Sequence, residues 1–217
     1  AGQDKTARLW KPNGTAVATL SGHTNSITAA GFSPDGQRIA FVSNISGRNN
    51  IWTVPSEGGW PVQLTVGDQR QSGPAWSPDG RYVAFQSDTD GDEQWDLFLV
   101  STANGDVTNI TNTPEIAEEA PAWSPDGKTL AYLVKPKTGA NFEIHLMDML
   151  TRRPRPLTSS TAREWSYGRP LWSKDGTRVA ATLAHANGRD SNIWLIDVKS
   201  GQRTNLTPHE GEQLWDV

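Results

Sequence analysis

Apolar residues in this chain fall in short runs of strand length, each bounded by turn-forming residues, and none keeps up the 3.6-residue spacing of an amphipathic helix. One set of runs carries a small residue at its centre: Ile39-Ala40-Phe41, Val83-Ala84-Phe85, Leu130-Ala131-Tyr132 and Val179-Ala180-Ala181. A second set follows after a polar loop: Asn50-Ile51-Trp52-Thr53-Val54, Asp96-Leu97-Phe98-Leu99-Val100, Glu143-Ile144-His145-Leu146-Met147 and Asn192-Ile193-Trp194-Leu195-Ile196. A short third segment then ends in Leu64-Thr65, Ile110-Thr111, Leu157-Thr158 or Leu206-Thr207.

Each first run is preceded by one turn motif: Phe32-Ser33-Pro34-Asp35-Gly36, Trp76-Ser77-Pro78-Asp79-Gly80, Trp123-Ser124-Pro125-Asp126-Gly127 and Trp172-Ser173-Lys174-Asp175-Gly176. Their aromatic residues stand 44, 47 and 49 positions apart, a period that suits one four-stranded unit per repeat. Proline fixes φ near −65°, aspartate caps the local backbone and glycine takes the left-handed conformation, so the motif joins two antiparallel strands tightly.

The pattern predicts an all-β fold: a β-propeller of four-stranded antiparallel blades, forming a single domain over 1–217. One such sheet cannot bury both faces alone, so stability must come from stacking blades. The recurring aromatics Trp10, Phe32, Trp52, Trp76, Trp123, Trp172, Trp194 and Trp215 are therefore assigned to the structural core. Residues 5–11 and 16–20 read as the two outer strands of a further blade, and 213–217 as the start of its innermost strand. That assignment predicts five blades, with the two termini sharing the closing one.

Two families are visible in the motifs. The strings Asp4-Lys5-Thr6-Ala7-Arg8-Leu9-Trp10 and Leu20-Ser21-Gly22-His23-Thr24-Asn25-Ser26-Ile27 make residues 1–33 resemble a WD-repeat protein. The hydrogen-bonded network of that family is incomplete here, since no Gly-His precedes Asp4 and Trp10, and Ser46 stands six positions before Trp52 where aspartate is expected. From about residue 37 onward the repeats resemble the TolB-type propeller family. The stretch 75–217 resembles the propeller domain of prolyl-oligopeptidase-family serine peptidases, dipeptidyl-peptidase-like members included. That resemblance rests on the Trp-Ser-Pro-Asp-Gly motifs, on Ser87-Asp88-Thr89-Asp90-Gly91 and on the Leu-Thr strand ends. The switch falls at 32–36, the motif both families share, and suggests a recombinant or designed chimera, with a natural hybrid as the alternative.

Composition narrows the function classes. A net charge of −4 without a basic run gives no electrostatic case for nucleic acid or an anionic membrane as partner. The absence of cysteine removes disulfides, thiol nucleophiles and zinc ribbons, and leaves the compartment open between periplasm and cytoplasm. The first residues carry no charged leader followed by an apolar segment, so no signal peptide is expected.

Candidate chemistry is sparse. The nearest string to a nucleophile elbow, Gly31-Phe32-Ser33-Pro34-Asp35, lacks the second glycine, and the peptidase resemblance implies a catalytic triad in a separate domain. His23, His145, His185 and His209 have no zinc-site spacing. Asp88, Asp90 and Asp92 form a weak calcium candidate, but Leu99 occupies the twelfth position of an EF-hand count, and a solvated acidic loop is the preferred reading. Glu118-Glu119 invites comparison with the paired glutamates that grip a substrate amine in dipeptidyl peptidases. Without an inserted helix it reads as a solvated pair in a connection between blades.

The chain is thus expected to be a non-catalytic propeller scaffold without cofactor, meeting a protein or peptide partner at its loops or central channel and able to self-associate through its terminal strands. The alternative is a substrate-gating propeller domain of a prolyl-oligopeptidase-family serine peptidase, or a TolB-like protein-interaction module.

Overall fold

The structure, a computed structural model, describes residues 7–10, 13–20, 29–88, 91, 94–159, 165–186 and 190–208. Those residues form strands and turns and no helix. The pair β1 (Ala7–Trp10) and β2 (Ala16–Leu20) is followed by a first blade, β3 (Ala30–Phe32), β4 (Arg38–Ser43), β5 (Asn50–Pro55) and β6 (Val62–Gln63). The second blade holds β7 (Arg70–Trp76), β8 (Tyr82–Asp88), β9 (Trp95–Ser101) and β10 (Val107–Asn109). The third holds β11 (Ile116–Trp123), β12 (Thr129–Pro136), β13 (Glu143–Asp148) and β14 (Pro154–Pro156). The fourth holds β15 (Trp165–Tyr167), β16 (Leu171–Trp172), β17 (Arg178–His185), β18 (Ser191–Asp197) and β19 (Arg203–Asn205).

Every blade is an antiparallel meander in chain order, as the repeat predicts. The Leu-Thr pairs fall just beyond the short outermost strands rather than within them. Contacts divide the chain into two compact units, Ala1–Asn112 with the first two blades and Thr113–Val217 with the last two.

The innermost strands of the second, third and fourth blades share an interruption. The pairing of β7 with β8 skips between Ser72 and Ala75, and that of β11 with β12 skips between Glu119 and Ala122. In the fourth blade the break is complete: β15 and β16 both pair with β17, on either side of Gly168-Arg169-Pro170. The cause is a proline in each gap, Pro74, Pro121 or Pro170, which has no N–H for the ladder. The residue before it is left-handed at Gly73 (φ 65°) and at Ala120 (φ 54°).

Packing follows the two-residue alternation of strands. Ala40 and Val42 of β4 join Ile51, Val83, Phe85 and Val100 in a core between the first two blades, while Ile39 and Phe41 pack with Val54 on the opposite face. Within the second unit, Leu133, Ile144, Leu146, Tyr167, Val179 and Ile196 fill the equivalent layer. The fully buried large residues are thus mostly aliphatic and phenyl side chains of the second and third strands.

Of the repeated aromatics assigned to the core, Trp52, Trp76 and Trp172 pack against these buried clusters, whereas Trp10 and Phe32 do not. Trp52, Trp76, Trp123, Trp172 and Trp194 are half-buried, while Trp10 is 58% exposed and Phe32 60% exposed. Trp76 and Trp172 each lie against the innermost strand of the preceding blade, donating Nε1–H to the carbonyls of Gly31 (3.1 Å) and Ala122 (3.0 Å). Phe32 holds the equivalent place but follows a two-stranded pair, and its ring has no N–H to make such a bond. Residues 213–217 with Trp215, and with them the sharing of a closing blade, lie outside the described residues.

Candidate binding faces

A meander brings the turns after its first and third strands to one end of the sheet and the remaining connections to the other, so each blade has two distinct faces. At the first end the turn motif repeats atom for atom. Ser33 Oγ donates to Asp35 Oδ1 at 2.5 Å and accepts the Arg38 N–H at 2.9 Å, while Asp35 Oδ1 also takes the Gln37 N–H at 3.0 Å. Ser77 with Asp79, Ser124 with Asp126 and Ser173 with Asp175 do the same. Gly36, Gly80, Gly127 and Gly176 sit at φ 69–70°, which explains glycine at these four places.

These hydrogen bonds to the charged form hold the aspartates ionised. Asp35 and Asp126 lie below the ordinary carboxylate value through the Ser33 and Ser124 hydroxyls and then the backbone N–H groups of Gln37 and Lys128. Asp79 is lowered to about 2, first by Ser77 and then by Arg81, and Asp175 to about 2 by Ser173 and Thr177. Between the first two turns opens a cleft of about 390 Å³, lined among others by Pro34, Asp35, Arg38, Trp76, Pro78 and Asp79.

The opposite end is where most other buried polar groups collect: Ser43, Asn50, Thr65, Gln71, Ser87, Asp88, Glu118 and Thr158. The threonine that closes each repeat is part of it. Thr65, Thr111, Thr158 and Thr207 accept the N–H of Ile51, Leu97, Ile144 and Ile193 at 2.9, 3.0, 2.8 and 2.9 Å, always across fourteen positions. Three of them donate to the residue just before the one whose N–H they accept, near the start of their own blade's third strand: Asp96 (3.2 Å), Glu143 (2.5 Å) and Asn192 (3.5 Å). Thr65 instead donates across to Gln71 Oε1 on the innermost strand of the second blade. Sequence reasoning took these threonines only as strand ends; their regular recurrence, once per repeat, is the signal that could have found the device.

Glu118 and Glu119 are corrected here. They belong to β11 rather than to a connection, and Glu118 is 4% exposed, with Oε1 accepting the Thr113 hydroxyl at 2.6 Å. It occupies the place that Gln71 holds in the second blade, five positions before the tryptophan. Burial, and secondarily the Glu118 charge, pushes the Tyr132 phenol up, and Tyr132 meets the His145 ring edge-on at 6.1 Å between centroids. Burial likewise lowers His145, whereas His185 packs edge-on against Trp165 at 5.0 Å. His23 and His209 lie outside the described residues.

Of the calcium candidate, Asp88 is buried and its Oδ1 accepts the Gly91 N–H at 2.8 Å, so it caps the loop it begins. Asp90 and Asp92 lie outside the described residues, and among the described ones no three His, Cys, Asp or Glu side chains gather as a metal site would need. No helix among the described residues is long and apolar enough to cross a membrane.

Four-stranded meanders that stack through their second and third strands, with a Trp-Ser-Pro-Asp-Gly turn at the innermost hairpin, define a β-propeller. The particular family follows from residues 9–168, which match the TolB beta propeller domain: the chain belongs to that family. The match runs unbroken through 32–36, so the switch from a WD-repeat protein expected there, and with it the chimera, finds no support.

Among curated proteins the chain is 28% identical over 199 residues to "Uncharacterized peptidase YuxL" of Bacillus subtilis, covering 86% of this chain and 27% of that protein. Among solved structures it is similar to TolB from Acinetobacter baumannii (TM-score 0.74, 24% identity, 94% of this chain and 49% of that one). It is also similar to a puromycin-hydrolyzing peptidase of Mycobacterium tuberculosis (TM-score 0.63, 14% identity, 93% and 35%). At such identities the structures speak for the fold alone. The chain spans about a quarter of the Bacillus relative and half of the Acinetobacter one.

Proposed function

We propose that this propeller is the non-catalytic module of a peptidase-type protein, controlling which peptides reach a hydrolytic domain elsewhere in the whole protein. The observation that carries the reading is the alignment with the Bacillus peptidase relative, which takes in most of this chain and only a quarter of that one. Within each unit, the end opposite the turn motifs, which carries Gln71 in the first and Glu118 in the second, is the face assigned to peptide contact, because polar groups collect there beside an apolar core. A protein-interaction role like that of a TolB module is the second reading, favoured by the family match itself.

Two measurements separate them. Sequencing the complete gene should reveal an α/β-hydrolase segment with a nucleophile elbow, and its absence would favour the interaction module. The purified chain alone should leave peptide p-nitroanilides intact, and turnover abolished by a point change within 1–217 would overturn both readings.

A further inference from the structure

Asn50 is 2% exposed, yet its Oδ1 accepts no hydrogen bond from any described residue. Its counterparts Asp96, Glu143 and Asn192 each receive the hydroxyl proton of the threonine that ends their own blade. Thr65 alone sends that proton elsewhere, to Gln71 Oε1 of the next blade. A hydroxyl has one proton to give, and Thr65 Oγ1 already accepts the Ile51 N–H. It can therefore serve Asn50 or Gln71 at any moment, never both.

Both acceptors surround one small space. A Cβ added to Gly67 would lie 3.1 Å from Gln71 Nε2 and 3.9 Å from Asn50 Oδ1, so the two amides converge where glycine leaves room. Asn50 is otherwise held only by long contacts from Nδ2 to Ser46 Oγ (3.4 Å) and the Arg48 carbonyl (3.3 Å).

We propose that Thr65 is a two-position switch that clasps or releases the seam between the first and second blades. In the clasped position it ties the end of the first blade to the innermost strand of the second and leaves Asn50 Oδ1 without a donor. In the released position the proton returns to Asn50, the first blade adopts the pattern of the other three, and Gln71 is freed. Because each position leaves one amide oxygen without a donor, the two are matched in kind and the seam is bistable. Release leaves the Gln71 N–H bond to the Asn49 carbonyl (3.0 Å) beside the Trp76–Gly31 bond and the apolar core of the seam, so the Gln71 amide reports the loosening locally.

Amide hydrogen exchange resolved by residue tests the switch. Asn50→Asp puts at this position the carboxylate that Asp96 supplies in the second blade, drawing the proton home. Exchange at the amide of residue 71 should rise about tenfold while Ile51, still bonded to Thr65, keeps its protection. Gln71→Leu should act in the same direction by removing the other acceptor, and it keeps the question answerable if the buried aspartate unsettles the fold. In Asn50→Leu the alternative acceptor is gone, and exchange at residue 71 should slow. Unchanged exchange at residue 71 in both Asn50→Asp and Gln71→Leu, loss of Ile51 protection equal to that at the seam, or faster exchange at residue 71 in Asn50→Leu would each overturn the proposal.

Discussion

The seam between the first two blades and the seam between the last two use the same backbone clasp and different side chains. In both, the N–H five positions before the turn tryptophan donates to a carbonyl of the preceding blade: Gln71 to Asn49 and Tyr167 to Phe142, each at 3.0 Å. At the first seam that residue is an amide reached by Thr65. At the second it is a 2% exposed phenol set in the apolar layer, its hydroxyl accepting from Arg203 at 2.8 Å, while Thr158 stays with Glu143 of its own blade. A fixed clasp can thus carry either an apolar plug, which holds by burial, or a polar latch, whose partner can change. Burial scales with area and has no alternative geometry, whereas a hydrogen bond can be exchanged for another of equal worth.

The sharpest way to break this contrast is to truncate the two equivalent residues. Tyr167→Ala should cost about 3–5 kcal/mol, as for other large buried side chains, and Gln71→Ala about 1 kcal/mol. Thermal melts of the two variants give the difference, and equal losses would erase the distinction between plug and latch. Next in size is Gly168→Ala, which tests how tightly the broken innermost strand beside Tyr167 is held against β17 of its own blade. The new Cβ would stand 2.3 Å from Thr182 Oγ1, a clash that should cost about 1–3 kcal/mol and lower the melting temperature of the whole protein.

The smallest effect is common to both seams. Asp35 and Asp79 on one side and Asp126 and Asp175 on the other lie below the ordinary value of 3.8, with Asp79 and Asp175 at about 2. A carboxylate lowered in the folded state contributes stability that is complete above the unfolded value and lost as pH falls from about 4 to about 2. Melting temperature should therefore decline through that window, below the separate decline that His145, lowered by burial, begins as pH falls through its ordinary value of 6.5. Asp79→Asn and Asp175→Asn should shallow the decline equally, and a strongly unequal response would mean the turns are not equivalent.

Much of this was legible in the sequence, because a turn and the strands on either side of it are fixed by residues within a few positions of each other. The Ser-x-Asp-Gly geometry and the meander order follow from that local chemistry, as does the small central residue of each second strand, with Ala40, Ala84 and Ala131 all fully buried. What was illegible depends on which neighbour a residue meets. Phe32 and Trp76 occupy the same repeat position, yet one is exposed and the other bonded to Gly31, since the sheet before them differs. Glu118 looked like a solvated charge because two glutamates suggest a surface. Its burial follows from a strand that begins at Ile116, earlier than the apolar pattern indicated.

The turn motif also sets the order in which the chain can acquire its structure. Its hydrogen bonds span two to five positions, as from Asp35 to Gln37 and from Ser33 to Arg38, whereas the indole bonds between blades span 45 and 50. Closing a short loop costs little entropy and is fast, so four hairpins can nucleate independently before any blade finds its neighbour. Pulse-labelled exchange during refolding should accordingly protect the amides of Arg38, Tyr82, Thr129 and Arg178 ahead of those of Gln71 and Tyr167. The reverse order would place nucleation in the seams. Hairpins that form first, each from almost the same string, also carry the characteristic hazard of repeat proteins: a blade can dock on the wrong copy, and the differing side chains of the two seams are what tell one docking partner from another.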